Sequence, residues 1–244
     1  MIRTRLAHTL CISPNIEPRP QGVLPSILLF HYTGMENAEA ACRRLCTSSS
    51  GVSCHYLVDE LGHITQMVGE EMRAWHAGQS SWAGETDINS RAIGIEVHNR
   101  GHTLGYPDFP DSQMEAVIEL SRDIISRNAI RPEMVLAHSD VAPRRKIDPG
   151  EKFDWGKLHA AGIGHWVEPV AAGEAASFLA PGEGGISVLQ QKLRSYGYPI
   201  DVTGQLDKQT EIVVKAFQRH FRPQRVDGIA DRSTIATLDR LILK

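Results

Sequence analysis

The stretch Val135–Ala137 is apolar, has the length of a β-strand and is followed directly by a histidine, His138. Ten residues further on, Asp148 stands two positions after Lys146, in a loop restrained by the proline and glycine that follow it. Residues i and i+2 of an extended segment point the same way, so Lys146 and Asp148 can both face whatever His138 faces. This pattern fits a hydrolytic metal site, and it fits equally a solvated basic loop after a core strand. Other segments must decide between the two.

Further strand-like segments alternate with helical ones along the first two thirds of the chain. The apolar run at residues 26–30 is typical of a strand buried on both faces, and it too is followed by a histidine, His31. Residues 51–58 and 63–68 are predicted to form a hairpin, and a long helix is predicted from about residue 111 to residue 129. We therefore predict an α/β fold with a mixed central β-sheet flanked by helices.

Residues 92–99 alternate strictly between apolar side chains and others. Ile93, Ile95 and Val97 would fill one face of a strand, which leaves Glu96 on the opposite face. A carboxylate within a buried strand is costly unless it is paired, so Glu96 needs a cation, a metal-bound water or hydrogen bonds. The alternative is an edge strand with Glu96 in solvent.

A polar loop rich in glycine, serine and tryptophan begins at Trp75 and His76 and runs to about residue 90. Loops of this length without regular structure usually line a site or are disordered, and the aromatic content favours the first. Trp82 could stack on a sugar or cover the core, whereas Trp75 is expected to pack.

The composition argues against several functional classes. With 244 residues and 41% hydrophobic content, the chain can hold one large domain or a medium domain and a small one. No apolar stretch approaches the roughly 20 residues needed to cross a bilayer, so we expect no membrane span. A net charge of -3 gives no electrostatic reason to expect a nucleic acid partner.

The four cysteines lack the paired spacing of a structural zinc site. Cys42 and Cys46 lie one helical turn apart on an apolar face, which predicts buried thiol packing. Unpaired thiols favour synthesis in a reducing compartment. Residues 1–20 do not resemble a signal peptide, because charged residues and prolines interrupt them. We expect cytoplasmic synthesis, with action either there or, after unconventional export, in the periplasm or cell wall.

The composition changes after residue 167, which we predict to end the first domain, residues 1–167. Residues 168–185 are rich in alanine, glycine, proline and glutamate and are predicted to be a linker. Three helical patterns fill residues 186–244, which are predicted to form a small three-helix domain without a catalytic cluster. We expect this bundle to be flexibly tethered. The alternative is that it packs on the first domain, or joins two chains, through Phe221, Leu238 and Leu241.

Six segments occur in the order seen in one enzyme family: Leu29-Phe30-His31-Tyr32-Thr33, Ser53-Cys54-His55-Tyr56-Leu57-Val58, Ala74-Trp75-His76-Ala77-Gly78, Ile93-Gly94-Ile95-Glu96, Ala137-His138-Ser139-Asp140 and Lys146-Ile147-Asp148-Pro149-Gly150. They resemble the zinc-dependent N-acetylmuramoyl-L-alanine amidases of the type 2 amidase family, and in particular bacterial members that act on anhydro-muropeptides and cell-wall fragments. The C-terminal part is similar to a peptidoglycan-binding module through Leu189-Gln190, Tyr196-Gly197-Tyr198, Ala216-Phe217-Gln218 and Asp227-Gly228-Ile229-Ala230.

The resemblance implies a zinc hydrolase that cleaves the amide bond between N-acetylmuramic, or 1,6-anhydro-N-acetylmuramic, acid and the L-alanine of peptidoglycan or muropeptides. It implies that His31, His138 and Asp148 bind one zinc ion per chain, a donor set suited to an open catalytic site. It makes Glu96 the general base and Lys146 the cation that stabilises the oxyanion. The residues expected to line the substrate groove are His55, Trp75, His76 and Asn99.

Two other functions stay open at this stage. A peptidoglycan-recognition protein has the same fold and binds without catalysis when a zinc ligand is lost, but no ligand is missing here. A zinc peptidase that cuts within the stem peptide would use the same metal and a different groove.

Overall fold

The computed structural model describes residues 4–169 and 185–243. Its strands are β1 (Thr9–Leu10), β2 (Ile16–Pro18), β3 (Ile27–Tyr32), β4 (Tyr56–Val58), β5 (Ile64–Gln66), β6 (Met72–Ala74), β7 (Ala92–Val97) and β8 (Val135–Ala137). Its α-helices are α1 (Ala38–Leu45), α2 (Ile88–Arg91), α3 (Asp111–Asn128), α4 (His138–Val141), α5 (Trp155–Ala160), α6 (Gly185–Tyr196), α7 (Lys208–Phe221) and α8 (Arg232–Leu243).

Six of the strands form the central sheet in the order β1-β5-β4-β7-β3-β8, and β2 pairs with β6. The pairs β4 with β7, β7 with β3 and β3 with β8 are parallel, whereas β4 and β5 are antiparallel. The predicted mixed sheet is therefore confirmed. Because β3, β7 and β8 run parallel, their carboxyl ends meet at one edge of the sheet. His31 lies opposite Glu96 in the register, and His138 directly follows β8.

One face of the sheet packs on α3 and α5. The alternating residues Ile93, Ile95 and Val97 belong to this core, as the sequence predicted, together with Val117 from α3 and Trp155 from α5. Burial of such a side chain contributes about 1.5–3 kcal/mol relative to leaving it exposed. This face therefore anchors the strands whose ends carry the candidate site.

The opposite face of the sheet is covered by the C-terminal bundle, which corrects the expectation of a flexible tether. Ile27 and Leu29 of β3 belong to the same buried cluster as Leu189 of α6 and Phe217 and Phe221 of α7. Three short helices leave apolar surface that they cannot bury alone, and this sheet face takes it up. The bundle therefore packs on the first domain, which is the alternative given above. Leu238 of α8 belongs to the same cluster.

A buried polar group also joins the two parts. The carboxylate of Asp140, which is fully buried in α4, accepts hydrogen bonds from the Tyr198 hydroxyl and from His220 Nδ1, each at 2.7 Å. It also accepts one from the backbone nitrogen of Ala137 at 2.8 Å. The His220 ring stacks on Trp155 with 3.7 Å between centroids. A buried carboxylate needs such partners, so the bundle helps to satisfy a charge that lies beside His138.

Gly197 lies where the bundle meets the loop that carries Trp82, and the two residues are in close contact. A Cβ atom on Gly197 would lie 2.5 Å from the Trp82 indole. We expect Gly197→Ala to destabilise the protein by about 1–3 kcal/mol more than a glycine substitution without a clash, which corresponds to about 2–12 °C in Tm. Thermal unfolding checks this. Gly162→Ala is the matched control, because Gly162 also has a positive φ but nothing within 4 Å of its Cβ position. Equal losses in the two variants would contradict a tight interface.

The predicted linker, residues 168–185, falls mostly outside the described residues. Among the described helices, none combines the length and the apolar character needed to cross a membrane.

Candidate metal centre and active-site cavity

Three side chains converge at the carboxyl edge of the sheet. His31 Nδ1 lies 2.8 Å from His138 Nδ1. Asp148 Oδ2 lies 3.3 Å from the first of these nitrogens and 3.0 Å from the second. All three residues are buried, and the backbone nitrogen of Ser139 donates to the carbonyl oxygen of Asp148 at 3.0 Å. The fold therefore brings together the two histidines and the aspartate that the sequence singled out.

The arrangement of these atoms fits a zinc ion. Ligand bonds of about 2.1 Å in a tetrahedral site separate the ligand atoms by about 3.4 Å, so atoms that lie 2.8, 3.0 and 3.3 Å apart would each move by less than about 1 Å on binding. His138 Nε2 lies 3.0 Å from the carbonyl oxygen of Ala77 and donates to it, so the neutral ring presents the lone pair of Nδ1. His31 Nε2 contacts His76 Nδ1 at 3.0 Å, and a neutral His31 that donates there would present the lone pair of its Nδ1. Two nitrogen lone pairs and a carboxylate oxygen repel one another inside a protein unless a cation lies between them.

The electrostatics of the site favour the metal-binding protonation states. Burial first, and then the neighbouring His138, lower the pKa of His31 to about 4. Burial, aided by the nearby His31 and His55 rings, places the pKa of His76 well below its ordinary value. Burial alone would raise the pKa of Asp148, but His138 and His31 outweigh it and hold that pKa well below the ordinary value. A neutral imidazole and an ionised carboxylate are the forms that bind a metal.

Glu96 lies beside this group on β7. Because β7 runs between β4 and β3, the alternative of an edge strand with Glu96 in solvent is wrong. Its Oε2 atom is buried and has no hydrogen-bond partner among the described residues. Burial first, and then the neighbouring Asp148, raise the pKa of Glu96 to about 8 against the lowering effect of Lys146. An unpartnered carboxylate oxygen in a cavity is available to a ligand or to water.

These residues line a cavity of about 290 Å³. It is bounded by Glu96 and Lys146, by the three converging side chains, and by Trp75 and His76 from the loop that the sequence assigned to the site. The His76 ring packs directly on Gly94, where a Cβ atom would lie 2.7 Å from the ring. Glycine is therefore required at this position of β7, two residues before Glu96.

Two residues expected in the groove do not line this cavity. His55 is fully buried, where its Nδ1 accepts from the backbone nitrogen of Gly94 and its Nε2 contacts Arg19. Asn99 is also buried and bonds to the carbonyl oxygen of Pro107 and to the nitrogen of Gly101. His55 lies in a segment that resembles the amidase family, and Asn99 lies at the end of the alternating strand pattern. The hydrogen bonds that hold them inside the fold cannot be seen in a sequence.

Arg44 lines the cavity and was not singled out from the sequence. It lies in the last turn of α1, where a basic residue is common because it interacts favourably with the helix dipole. In the sequence, Arg44 and its neighbour Arg43 therefore have the same explanation. Only the fold shows that Arg44 lies at the cavity.

Two buried histidines, an aspartate and an unpartnered glutamate around one cavity define the kind of site that metal-dependent hydrolases use. A family model described as N-acetylmuramoyl-L-alanine amidase matches residues 21–151, and a peptidoglycan-binding domain model matches residues 183–238. The chain belongs to the N-acetylmuramoyl-L-alanine amidase family. The predicted family, enzyme class and fold are thereby confirmed.

Individual relatives agree with this assignment. The chain is 37% identical over 233 residues to N-acetylmuramoyl-L-alanine amidase AmiD of Escherichia coli K12, which covers 89% of this chain and 82% of AmiD. It is 30% identical over 165 residues to 1,6-anhydro-N-acetylmuramyl-L-alanine amidase AmpD of Enterobacter cloacae, covering 61% of this chain and 86% of AmpD. The structure of AmiD from E. coli in complex with the substrate anhydro-N-acetylmuramic acid-L-Ala-D-gamma-Glu-L-Lys superposes with a TM-score of 0.76 at 35% identity, over 93% of each chain.

Proposed function

We propose that this chain is a zinc enzyme that hydrolyses the amide bond between N-acetylmuramic, or 1,6-anhydro-N-acetylmuramic, acid and L-alanine. The observation that carries the proposal is the convergence of His31, His138 and Asp148 in one cavity with Glu96. The AmiD complex supports the substrate class, because that protein holds an anhydro-muropeptide as its substrate. Peptidoglycan fragments are therefore the proposed substrates.

The proposed chemistry assigns one role to each side chain. When bound to His31, His138 and Asp148, zinc would supply Lewis-acid polarisation of the scissile carbonyl and of water. Glu96 takes a proton from the attacking water and later delivers it to the departing L-alanine nitrogen. Lys146, which is half-buried in the cavity wall, stabilises the negative charge that develops on the carbonyl oxygen. Trp75, also half-buried at the cavity, offers an apolar surface to the sugar.

Product analysis tests this function against its rivals. The purified protein is incubated with an anhydro-muropeptide of known stem, and the products are identified by mass spectrometry. We expect free stem peptide with an intact N-terminal L-alanine, together with an intact sugar. Cleavage within the stem would show a peptidase, and binding without any product would show a recognition protein. Either of these results overturns the proposal.

We expect His31→Ala to lose about one zinc ion per chain relative to the parent protein, because two remaining ligands hold zinc weakly. Elemental analysis of the two purified proteins measures this. His63→Ala is the control, since His63 is exposed and bonds only to the Thr9 hydroxyl among the described contacts of its ring nitrogens. An unchanged zinc content in His31→Ala would mean that the ligands are assigned wrongly.

We propose the domain division expected from the sequence: a catalytic domain at residues 1–167, a linker at residues 168–185 and a peptidoglycan-binding domain at residues 186–244. The match of the peptidoglycan-binding model to residues 183–238 supports this division. The bundle would raise the local concentration of wall polymer at the catalytic cavity. Its packing on the sheet makes this a fixed arrangement rather than a flexible one.

A further inference from the structure

Three of the four cysteines lie together, away from the catalytic cavity. Cys11 Sγ and Cys46 Sγ are 3.1 Å apart. The Sγ atoms of Cys11, Cys42 and Cys46 all lie within 4.8 Å of one another, and the three residues are half-buried. The helical spacing of Cys42 and Cys46 was visible in the sequence, but the approach of Cys11 from a segment more than 30 residues away was not. The proposed hydrolysis uses none of these thiols.

The backbone around the three thiols is held in place by hydrogen bonds between the same two segments. The Ser13 hydroxyl donates to the carbonyl oxygen of Leu45 at 2.5 Å. The Asn15 side-chain nitrogen donates to the carbonyl oxygens of Thr47 at 2.9 Å and Val52 at 2.8 Å. These bonds fix the segment after β1 against the end of α1. The thiol cluster is therefore preorganised by its surroundings, which reduces the cost of binding a ligand there.

We infer that Cys11, Cys42 and Cys46 form a binding site for one thiophilic cation, of the class of Zn²⁺ or Cu⁺. Thiolates are the ligands that these soft ions prefer. Three thiolates make either a trigonal site or a tetrahedral site whose fourth position is left for water. Zinc to sulfur bonds of about 2.3 Å place sulfur atoms about 3.8–4.0 Å apart, so Cys11 and Cys46 separate by less than about 1 Å on binding. Half-burial leaves the ion a way in.

The end of helix α1 favours a cation at this position. Cys46 caps the C-terminal end of α1, where the helix dipole favours positive charge.

The position of the cluster gives such an ion a structural role. Helix α1 carries Cys42 on one side, while Ala41, Arg44 and Leu45 of the same helix line the catalytic cavity. An ion held by the three cysteines would cross-link the N-terminal segment to the helix that forms one wall of the substrate site. This ion would be bound in addition to the proposed catalytic zinc, so a reduced, fully loaded chain would carry two ions.

Cadmium is the probe that separates this site from the catalytic one, because only sulfur ligands give a thiolate-to-cadmium charge-transfer band in the ultraviolet. The full-length protein is reduced, and Cd²⁺ is added in steps. We expect the band to rise and to saturate at one equivalent per chain.

Single variants then test the three assigned ligands. Cys11→Ala, Cys42→Ala and Cys46→Ala should each weaken Cd²⁺ binding by more than about 10-fold, since even residues that only orient a ligand contribute about 10- to 100-fold. Cys54→Ala is the matched control, because Cys54 is fully buried and its thiol donates to the carbonyl oxygen of Tyr56. Far-ultraviolet circular dichroism establishes that each variant is folded.

Three results would overturn the inference. One is the absence of a charge-transfer band in the reduced parent protein, which needs no variant and therefore does not depend on variant folding. The second is an unchanged affinity in all three cluster variants. The third is loss of the band in Cys54→Ala alone, which would place the ion elsewhere in the core.

Discussion

Replacement of Glu96 by glutamine should lower kcat by about 10²–10⁴-fold, the usual contribution of a general base. Glutamine has nearly the same size and can occupy the same position opposite His31, but it cannot accept the proton of the attacking water. The zinc content and the fold should be unchanged, because Glu96 is not one of the three converging ligand residues. Steady-state kinetics on an anhydro-muropeptide and elemental analysis of the same samples measure both quantities.

The control for this variant is Glu119→Gln, which makes the same chemical change at an exposed position of α3. It should leave kcat within a factor of about 2, since surface substitutions usually change little. A Glu96→Gln protein that loses zinc would make Glu96 a metal ligand. One that keeps full activity would remove it from the mechanism and leave its buried, unpartnered oxygen without a catalytic explanation.

The strand-end residues could be predicted because their signal is local. Apolar runs that lead into His31 and His138, and the alternation around Glu96, follow from the geometry of strands in a parallel sheet. The same reasoning predicts that parallel strands deliver these side chains to one edge. Asp148 needed the family resemblance, because nothing in its own loop distinguishes a ligand from a solvated carboxylate.

Residues whose role depends on distant partners could not be predicted in this way. His55 lies in one of the segments that resemble the family and was expected in the groove, but its contacts with Arg19 and with the backbone of Gly94 hold it inside the fold. Cys11 reaches the other two thiols only because β1 pairs with β5 and places the following residues beside the end of α1. The expected flexible tether was wrong for the same reason: the apolar stripes of the bundle are visible in the sequence, but the sheet face that receives them is not.

A chain that ends at residue 182 should be much less stable than the full protein and should lose turnover on small soluble muropeptides as well as on polymeric wall. Removal of the bundle uncovers the side of the sheet that carries Ile27, Leu29 and Leu136, and it takes away the aromatic contacts of Trp82. Each large apolar side chain so exposed costs about 1.5–3 kcal/mol, while whole domains are stable by only about 5–15 kcal/mol. Two or three such side chains, at about 3–9 kcal/mol, correspond to a fall in Tm of about 6–36 °C.

Removal of the bundle should affect the catalytic site through Asp140. Without the bundle its carboxylate keeps the hydrogen bond from Ala137 but loses those from Tyr198 and His220. Asp140 stands in the turn that begins with His138, and a displacement of about 1 Å at a reacting group can cost about 10²-fold in rate. Thermal unfolding, light scattering and turnover of soluble and polymeric substrates measure these effects. Full stability and full activity on soluble substrate would instead make the bundle a tether only.

A pair of tyrosine variants in the full-length protein separates positioning of the site from stability of the interface. Tyr198→Phe removes the hydroxyl that donates to Asp140, whereas Tyr196→Phe removes one that contacts His165 Nδ1 in the same interface. Both rings pack on Trp82 and remain in place. If the bundle positions the His138 turn, Tyr198→Phe should lower kcat and weaken zinc retention against a chelator, and Tyr196→Phe should not. Equal small losses of Tm with unchanged kcat in both variants would limit the contact to stability, because a hydrogen bond to a buried charge contributes about 1.5–3 kcal/mol without affecting the reaction.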